Sequence, residues 1–375
     1  MKIAFYLPDL QLGGAERMIV NLANNFSSRH FDVDLVVNRF KGHYCDDVSP
    51  LVNIVELKVS NSRYAIIGLI KYIKNNKPDR LLSTLFHANI VSILACLFTH
   101  SRSICFIRQE NVTKEILKNN TLAGKFYYLL TKLLYPLAQG FIGISKGVVD
   151  DFVNRGIVSK NRAFIVHNPA ITNDIKFLMK EPLNHPWLNE GYYTFINVGR
   201  FNVAKNQDML IRSFKHVNRE VSNTRLILVG DGELRGELIN LTNNLGLNNC
   251  IDFVGRKKNP YSWMYNADCF TFSSNWEGFG NVLVEALYCC GNVISTDCPS
   301  GPSEILDNGK YGILVPVGDE QKLAEAMILK SNEKNNYRFD GNESLCYMRF
   351  HIDTISNKYL EVLQVNSENS NELIY

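Results

Sequence analysis

The 375-residue chain has no apolar run near the roughly 20 residues that cross a bilayer; its longest, Ile90 to Thr99, is about half that. A transmembrane helix is excluded, and because strand-like KIAFYL starts at Lys2, no secretory leader is expected. The nine cysteines are odd in number and never form CxxC, which argues against a disulfide framework and structural zinc. Adjacent Cys289 and Cys290 lie in an apolar run and read as small core residues of a reducing, cytoplasmic protein. Only one D-x-D occurs, Asp32 and Asp34 in FDVDLVV, and it reads as edge polarity at a strand start. No Ser/His/Asp elbow of the GxSxG type, glycosidase carboxylate pair or nucleic-acid motif is expected.

What is present describes a folded protein. Apolar residues make up 46% and charged residues 21%, with 11 prolines, a globular composition, and the length suits two domains rather than one. The net charge of +3 hides an asymmetry. Residues 1–170 hold 21 Lys plus Arg against 12 Asp plus Glu, and the remainder holds 19 against 25. The stretch Lys58 to Lys132 alone carries 12 basic and 3 acidic side chains.

Strand and helix patterns alternate through both halves. In the first half KIAFYL, DVDLVVN, DRLLSTL, SICFIRQE, FIGISK and AFIVHN read as strands, with helical spacing over Ala15 to Phe26, Ile66 to Lys74, Ile90 to Phe98 and Phe126 to Leu134. Residues 169–192, rich in proline and asparagine, break the pattern and read as a linker. Alternation restarts with YTFINVG, RLILVG, IDFVG, CFTFSS, NVISTD and GILVP. Residues 331–345 read as a polar loop, followed by a helix over Ile352 to Leu363. The expected fold is α/β: an N-terminal domain over 1–168, a second over 193–350, and a tail over 351–375 that packs back on the first. Ligands are expected in a cleft where the carboxyl ends of the two parallel sheets meet.

Several motifs fall in strand-to-helix loops. In SSNWEGFGNVLVEALYCCG, Gly278 and Gly280 permit close backbone approach, and the helix start beyond them offers N–H groups suited to phosphate. Glu285 is the sole charge between Gly278 and Thr296, in a helix apolar on nearly every side, so it is expected to be buried with hydrogen-bonding partners. Two ribose hydroxyls, an internal arginine or backbone N–H groups would each serve. In NVGRFNVAKNQDML, Arg200 and Lys205 are expected to converge on the sheet edge, where two cations suit a diphosphate. Gly13 and Gly14 follow the first strand and precede a helix, an anion-binding arrangement that an ordinary helix start explains equally well.

The E-x7-E spacing of Glu277 and Glu285 resembles the signature of the family 4 retaining glycosyltransferases, whose fold is GT-B. GGAER at 13–17, VHNPA, NVGRFNVAKNQDML, LVGDGELR and TDCPSGPSEIL resemble further family segments in the same order, over most of the chain. The resemblance implies that Glu277 meets donor-sugar hydroxyls and Glu285 the ribose. Phe279, Gly280 and Asn281 would contact sugar and phosphate, Gly230 would turn the chain at a strand end, and Val254 and Arg256 would border the base. His87, read as a loop residue, would contact the reacting sugar region; Glu110 and Asn111 occupy another strand end.

The expected donor is a UDP-sugar, used without a metal or other cofactor because Arg200, Lys205 and the helix N-terminus take the metal's place. The expected acceptor is a saccharide on a polyprenyl pyrophosphate. Basic residues interleaved with apolar ones in RYAIIGLIKYIKNNK and KFYYLLTKLLY suit an anionic membrane surface, giving a peripheral location on the inner face of the cell membrane; a core face backed by a solvated basic face is the plainer alternative. A UDP-sugar 2-epimerase and a non-catalytic nucleotide-sugar-binding partner are the rival readings.

Overall fold

The computed structural model describes residues 1–11, 13–59, 62–101, 104–113, 122–333 and 345–364. The chain divides into two compact units, Met1–Pro169 joined by the segment from His351, and Ala170–Phe350.

Among the described residues the first unit is built on seven strands: β1 (Lys2–Leu7), β2 (Asp32–Val37), β3 (Asn53–Glu56), β4 (Arg80–Thr84), β5 (Cys105–Gln109), β6 (Gly140–Gly143) and β7 (Ala163–Ile165). All pairs are parallel, in the order β3-β2-β1-β4-β5-β6-β7. Central β1 has Ile3 to Leu7 wholly buried, because a parallel strand carries helices on both faces. The helix Gly14–Ser28 buries Ala15, Met18, Ile19, Leu22, Ala23 and Phe26, the stripe that a period of 3.6 residues dictates.

The helix Ile352–Gln364 lies against Gly14–Ser28 in the same unit. It buries Ile355, Tyr359 and Leu363, each contributing about 1.5–3 kcal/mol before the cost of ordering the chain. Asn25 Nδ2 donates to Asp353 Oδ1 at 2.8 Å and Arg29 Nη2 to Asn357 Oδ1 at 2.7 Å along the seam.

Among the described residues the second unit has six parallel strands: β8 (Tyr193–Val198), β9 (Thr224–Val229), β10 (Ile251–Gly255), β11 (Cys269–Phe272), β12 (Val293–Thr296) and β13 (Ile313–Val315). Their order is β10-β9-β8-β11-β12-β13. In each sheet the chain leaves the first strand to one side and returns on its other side. The connections at the carboxyl ends therefore diverge at β1/β4 and at β8/β11, leaving a crevice in each unit by itself.

Four local readings change. Strand β3 was not expected, since three of its four residues are exposed and its pattern carries no buried face; pairing with β2 makes it an edge strand. A helix over Lys146–Asn154 separates FIGISK from AFIVHN, started by Ser145, whose hydroxyl accepts from the Val148 N–H. The stretch read as a linker holds two short helices, Ile175–Leu178 and Pro186–Asn189, and from Ala170 onward belongs to the second unit. Asp34 is buried rather than edge polarity: its carboxylate accepts from Tyr72 at 2.6 Å and Asn53 at 2.7 Å and lies 3.4 Å from Lys2 Nζ. It sits at the amino half of β2, away from the ligand-bearing edge. Of the expected polar loop, 334–344 lies outside the described residues.

Candidate functional site

In the second unit the loops after β8 and β11, neighbours across the switch point, are tied together by hydrogen bonds. Asn275 N–H donates to Ala204 O at 2.7 Å, its Nδ2 to Val203 O at 2.9 Å, and Ser273 Oγ to Lys205 O at 2.8 Å. Asn206 caps the helix Gln207–Glu220 from a left-handed conformation and donates to Asn275 Oδ1 at 2.9 Å.

This stitching brings Lys205 and Glu277 together, Nζ to Oε1 at 2.6 Å, with the side chains only 20% and 14% exposed. Ser274 Oγ donates to the same Oε1 at 2.7 Å. Glu277 Oε2 receives no hydrogen bond among the described residues, and two of the three Lys205 ammonium protons lack an acceptor among them. Lys205 Nζ also lies 5.1 Å from the Phe272 ring centroid. Cys298, buried beside the pair, has its thiol pushed up to about 12, by burial first and by the Glu277 charge second. The pair can meet a ligand's anionic oxygens and its hydroxyl protons at one place.

The helix Asn281–Cys289 begins at Gly280, left-handed at φ 101°, and among the described residues no side chain caps it. Glu285, 5% exposed, lies one turn in from Asn281 on the same helix side. The Phe279 side chain is buried edge-on to Phe350 at 5.5 Å, so only its backbone is offered to a ligand. Gly301 secures that backbone: a Cβ there would lie 1.7 Å from Phe279 O, and its φ is +110°. Gly278 is half-buried in the same loop. An open hollow of about 660 Å³, lined by Asn275, Asp297, Pro299 and residues 314–317, lies at the ends of β11 to β13.

Arg200 stands on the Lys205 loop but points into solvent, 72% exposed and 3.4 Å from Glu233. Gly230 serves loop packing: a Cβ there would fall 1.9 Å from Gly199 O. Val254 is half-buried at the end of β10 and Arg256 exposed just beyond it.

In the first unit Gly13 is the extended N-cap and Gly14 the first residue of its helix. The helix start is covered by the chain's own Glu16, whose Oε2 would meet a Gly13 Cβ at 2.1 Å. Burial above all, with the Glu110 and Asp9 charges, raises the Glu16 pKa. His87 is not in a loop: it occupies the first turn of the helix Phe86–Phe98, exposed, its ring edge-on to Phe86 and Tyr127. Glu110 pairs with Arg108, a wholly buried guanidinium also bonded to Thr84, Asn168 and Tyr359. Asn111 is exposed.

Three features escaped the sequence reading. Ser274 and Asn275, which hold Glu277 and its loop, were signalled only by polar residues directly after an apolar strand. Arg108 was signalled by a charge inside CFIRQ. GISKG at 143–147 does carry GxSxG spacing, but Ser145 is buried and its hydroxyl is the helix cap just described.

Comparison with known proteins adds independent findings. The model of the glycosyl transferases group 1 matches residues 181–340 and that of Glycosyltransferase Family 4 matches 12–173. A Methanocaldococcus jannaschii glycosyltransferase is 33% identical over 315 residues, 72% of this chain and 75% of that protein. The Campylobacter jejuni N-acetylgalactosamine-N,N'-diacetylbacillosaminyl-diphospho-undecaprenol 4-alpha-N-acetylgalactosaminyltransferase is 28% identical over 87% of this chain and 89% of its own. Anabaena HepE, solved with UDP and glucose, superposes with a TM-score of 0.76 at 19% identity, covering 97% and 99% of the two chains.

Proposed function

This chain belongs to the family 4 glycosyltransferases, and from that premise we propose a retaining, metal-independent enzyme that moves a hexose or N-acetylhexosamine from a UDP-sugar to a saccharide on a polyprenyl diphosphate. The observation that carries the reading is the Lys205–Glu277 pair at the β8/β11 switch point, each partner with hydrogen-bonding capacity to spare. Lys205 and the Asn281 helix start take the diphosphate, and the ammonium offsets the charge that grows on it as its bond to the sugar breaks. Glu277 Oε2 accepts from a sugar hydroxyl, and buried Glu285 from the ribose. Arg200 swings from solvent onto the diphosphate, while His87, with Gly13 and Gly14, borders the acceptor side.

The acceptor oxygen bonds to the anomeric carbon on the face the diphosphate leaves, and its proton passes to the leaving phosphate oxygen. The configuration is thereby kept without a protein nucleophile. UDP as the nucleotide draws support from HepE, which shares the fold and binds UDP. The lipid carrier draws support from the diphospho-undecaprenol named for the Campylobacter relative.

The test is UDP release across a panel of UDP-sugars with polyprenyl-diphosphate-linked saccharides, the product's anomeric configuration being read by NMR. Transfer with the donor's configuration, undiminished by excess EDTA, is expected. An inverted product, an epimerised donor without transfer, or loss in EDTA restored by Mn²⁺ would each overturn the corresponding part.

A further inference from the structure

Three helices of the first unit, Ser62–Asn76, Phe86–Phe98 and Leu122–Leu134, are neighbours, the middle one packing against both others. A helix laid on a parallel sheet ordinarily buries one apolar stripe and turns a polar face outward. These three depart from that rule. The helix Leu122–Leu134 exposes Phe126, Leu129 and Leu133 at 57%, 51% and 60%, an i, i+3, i+7 stripe of large apolar groups facing water. Tyr64 and Ile67 are similarly exposed on the first helix and Phe98 at the end of the middle one.

The charge that the three helices carry is of one sign. The sequences SRYAIIGLIKYIKNN, FHANIVSILACLF and LAGKFYYLLTKLL contain no aspartate or glutamate, while Lys71, Lys74, Lys125 and Lys132 are exposed among the apolar groups.

We propose that this surface docks on an anionic lipid bilayer. A second copy of the chain would bring lysines against lysines, a like-charge pairing that disfavours association. A nucleic acid would satisfy the lysines and leave the large apolar side chains in water. Anionic lipid serves both: Phe126, Leu129 and Leu133 enter the boundary between headgroups and acyl chains while the lysine stems lie along it and their ammonium groups reach the phosphates. No described helix is long and apolar enough to cross a membrane, so the contact is with the surface. Each basic group near such a surface is worth about 1 kcal/mol, or about fivefold in partitioning, and weakens with salt. The inference rests on the proposed lipid-linked acceptor only for its purpose, since it names where that acceptor's carrier lies.

The experiment uses the full chain and vesicles of phosphatidylcholine with or without phosphatidylglycerol. Co-sedimentation is expected only with the anionic vesicles and is expected to fall as salt rises. K125E/K132E is expected to lower partitioning on the order of twenty-fold or more, from two such contributions. F126S/L129S/L133S is expected to lower it at low and high salt alike, the mark of an apolar term. Both variants alter exposed side chains, and unchanged circular dichroism and unchanged UDP release with a water-soluble, short-chain acceptor verify the fold and the site.

Equal binding to neutral vesicles, indifference to both variants, or a wild-type dimer that K125E/K132E or F126S/L129S/L133S dissolves would overturn the proposal. Vesicle binding without any sugar transfer would instead sink the proposed function and leave the membrane surface standing.

Discussion

Lys205 Nζ and Glu277 Oε1 lie 2.6 Å apart although 72 positions separate them in the chain. The contact exists because β8 and β11 are adjacent in the sheet, which lays the loop after one against the loop after the other. Both side chains are largely covered, so neither charge is cheaply left alone.

From this follows the behaviour of the pair under substitution. Lys205→Ala is expected to lower kcat by about 10²–10³, the usual loss when one donor to a developing negative charge is removed. Glu277→Gln keeps an acceptor for Ser274 but removes the charge facing Lys205, and lowers kcat/KM less. The double variant should lose less than the two single losses combined, because the groups act as a unit. Steady-state UDP release gives all three numbers; strict additivity would contradict the coupling.

Glycines in the second unit divide into those that touch and those that do not. Gly301→Ala places a methyl carbon 1.7 Å from Phe279 O at a φ of +110°, so the loop carrying Glu277 must shift. A loss of at least about 2 kcal/mol in urea unfolding is expected, together with weaker UDP binding by calorimetry. Gly236, inside the helix Arg235–Asn244, has nothing among the described residues within 4 Å of its would-be Cβ, and Gly236→Ala should raise stability by about 0.5–1 kcal/mol.

Arg108 Nε donates to Tyr359 OH at 3.2 Å, joining β5 to the helix Ile352–Gln364 in the wholly buried core of the first unit. Tyr359→Phe leaves that donor unsatisfied and should cost about 1–3 kcal/mol in chemical denaturation. Arg108→Met removes the charge with its donors yet strands Glu110, Thr84 and Asn168, so a comparable or larger loss is expected. If Tyr359→Phe is silent, the bond does not hold the helix.

Glu16 predicts a pH dependence. Its pKa in the fold is raised above the ordinary 4.5, chiefly by burial, so the folded chain holds its proton more tightly than the unfolded chain. Its contribution is then fully present below 4.5 and is lost as pH rises through the raised value, leaving an ionised carboxylate that the fold disfavours. Glu16→Gln should flatten that decline and be the more stable protein at neutral pH, as melting temperatures across a pH series would reveal. A parallel offset at every pH would exclude the carboxyl group as the cause.

Several local placements were legible in the sequence. Glu277, Glu285, Lys205 and the Gly280 helix start sit where strand-to-helix spacing places them, since each is a matter of a few neighbouring residues. His87 was misplaced by one local boundary, the helix at Phe86 starting directly after Leu85, whose φ of 73° turns the chain abruptly. Gly230 stands at the strand end where it was read, at φ +150°, but that it must also spare Gly199 O was not legible, because this demand comes from a neighbouring strand's loop.

By itself the sequence determined the alternation of strands and helices, the two parallel sheets, the charge asymmetry and the kinds of residue at each loop. All of these depend on periods and composition that act within one turn or one strand. Only the tertiary structure decided that Lys205 meets Glu277, that Gly301 must spare Phe279, that Arg108 reaches Tyr359 across 251 positions, and that an apolar stripe at Phe126 is left facing water. Those outcomes depend on which strand lies beside which, and strand order is set by the packing of whole layers, which no local pattern carries.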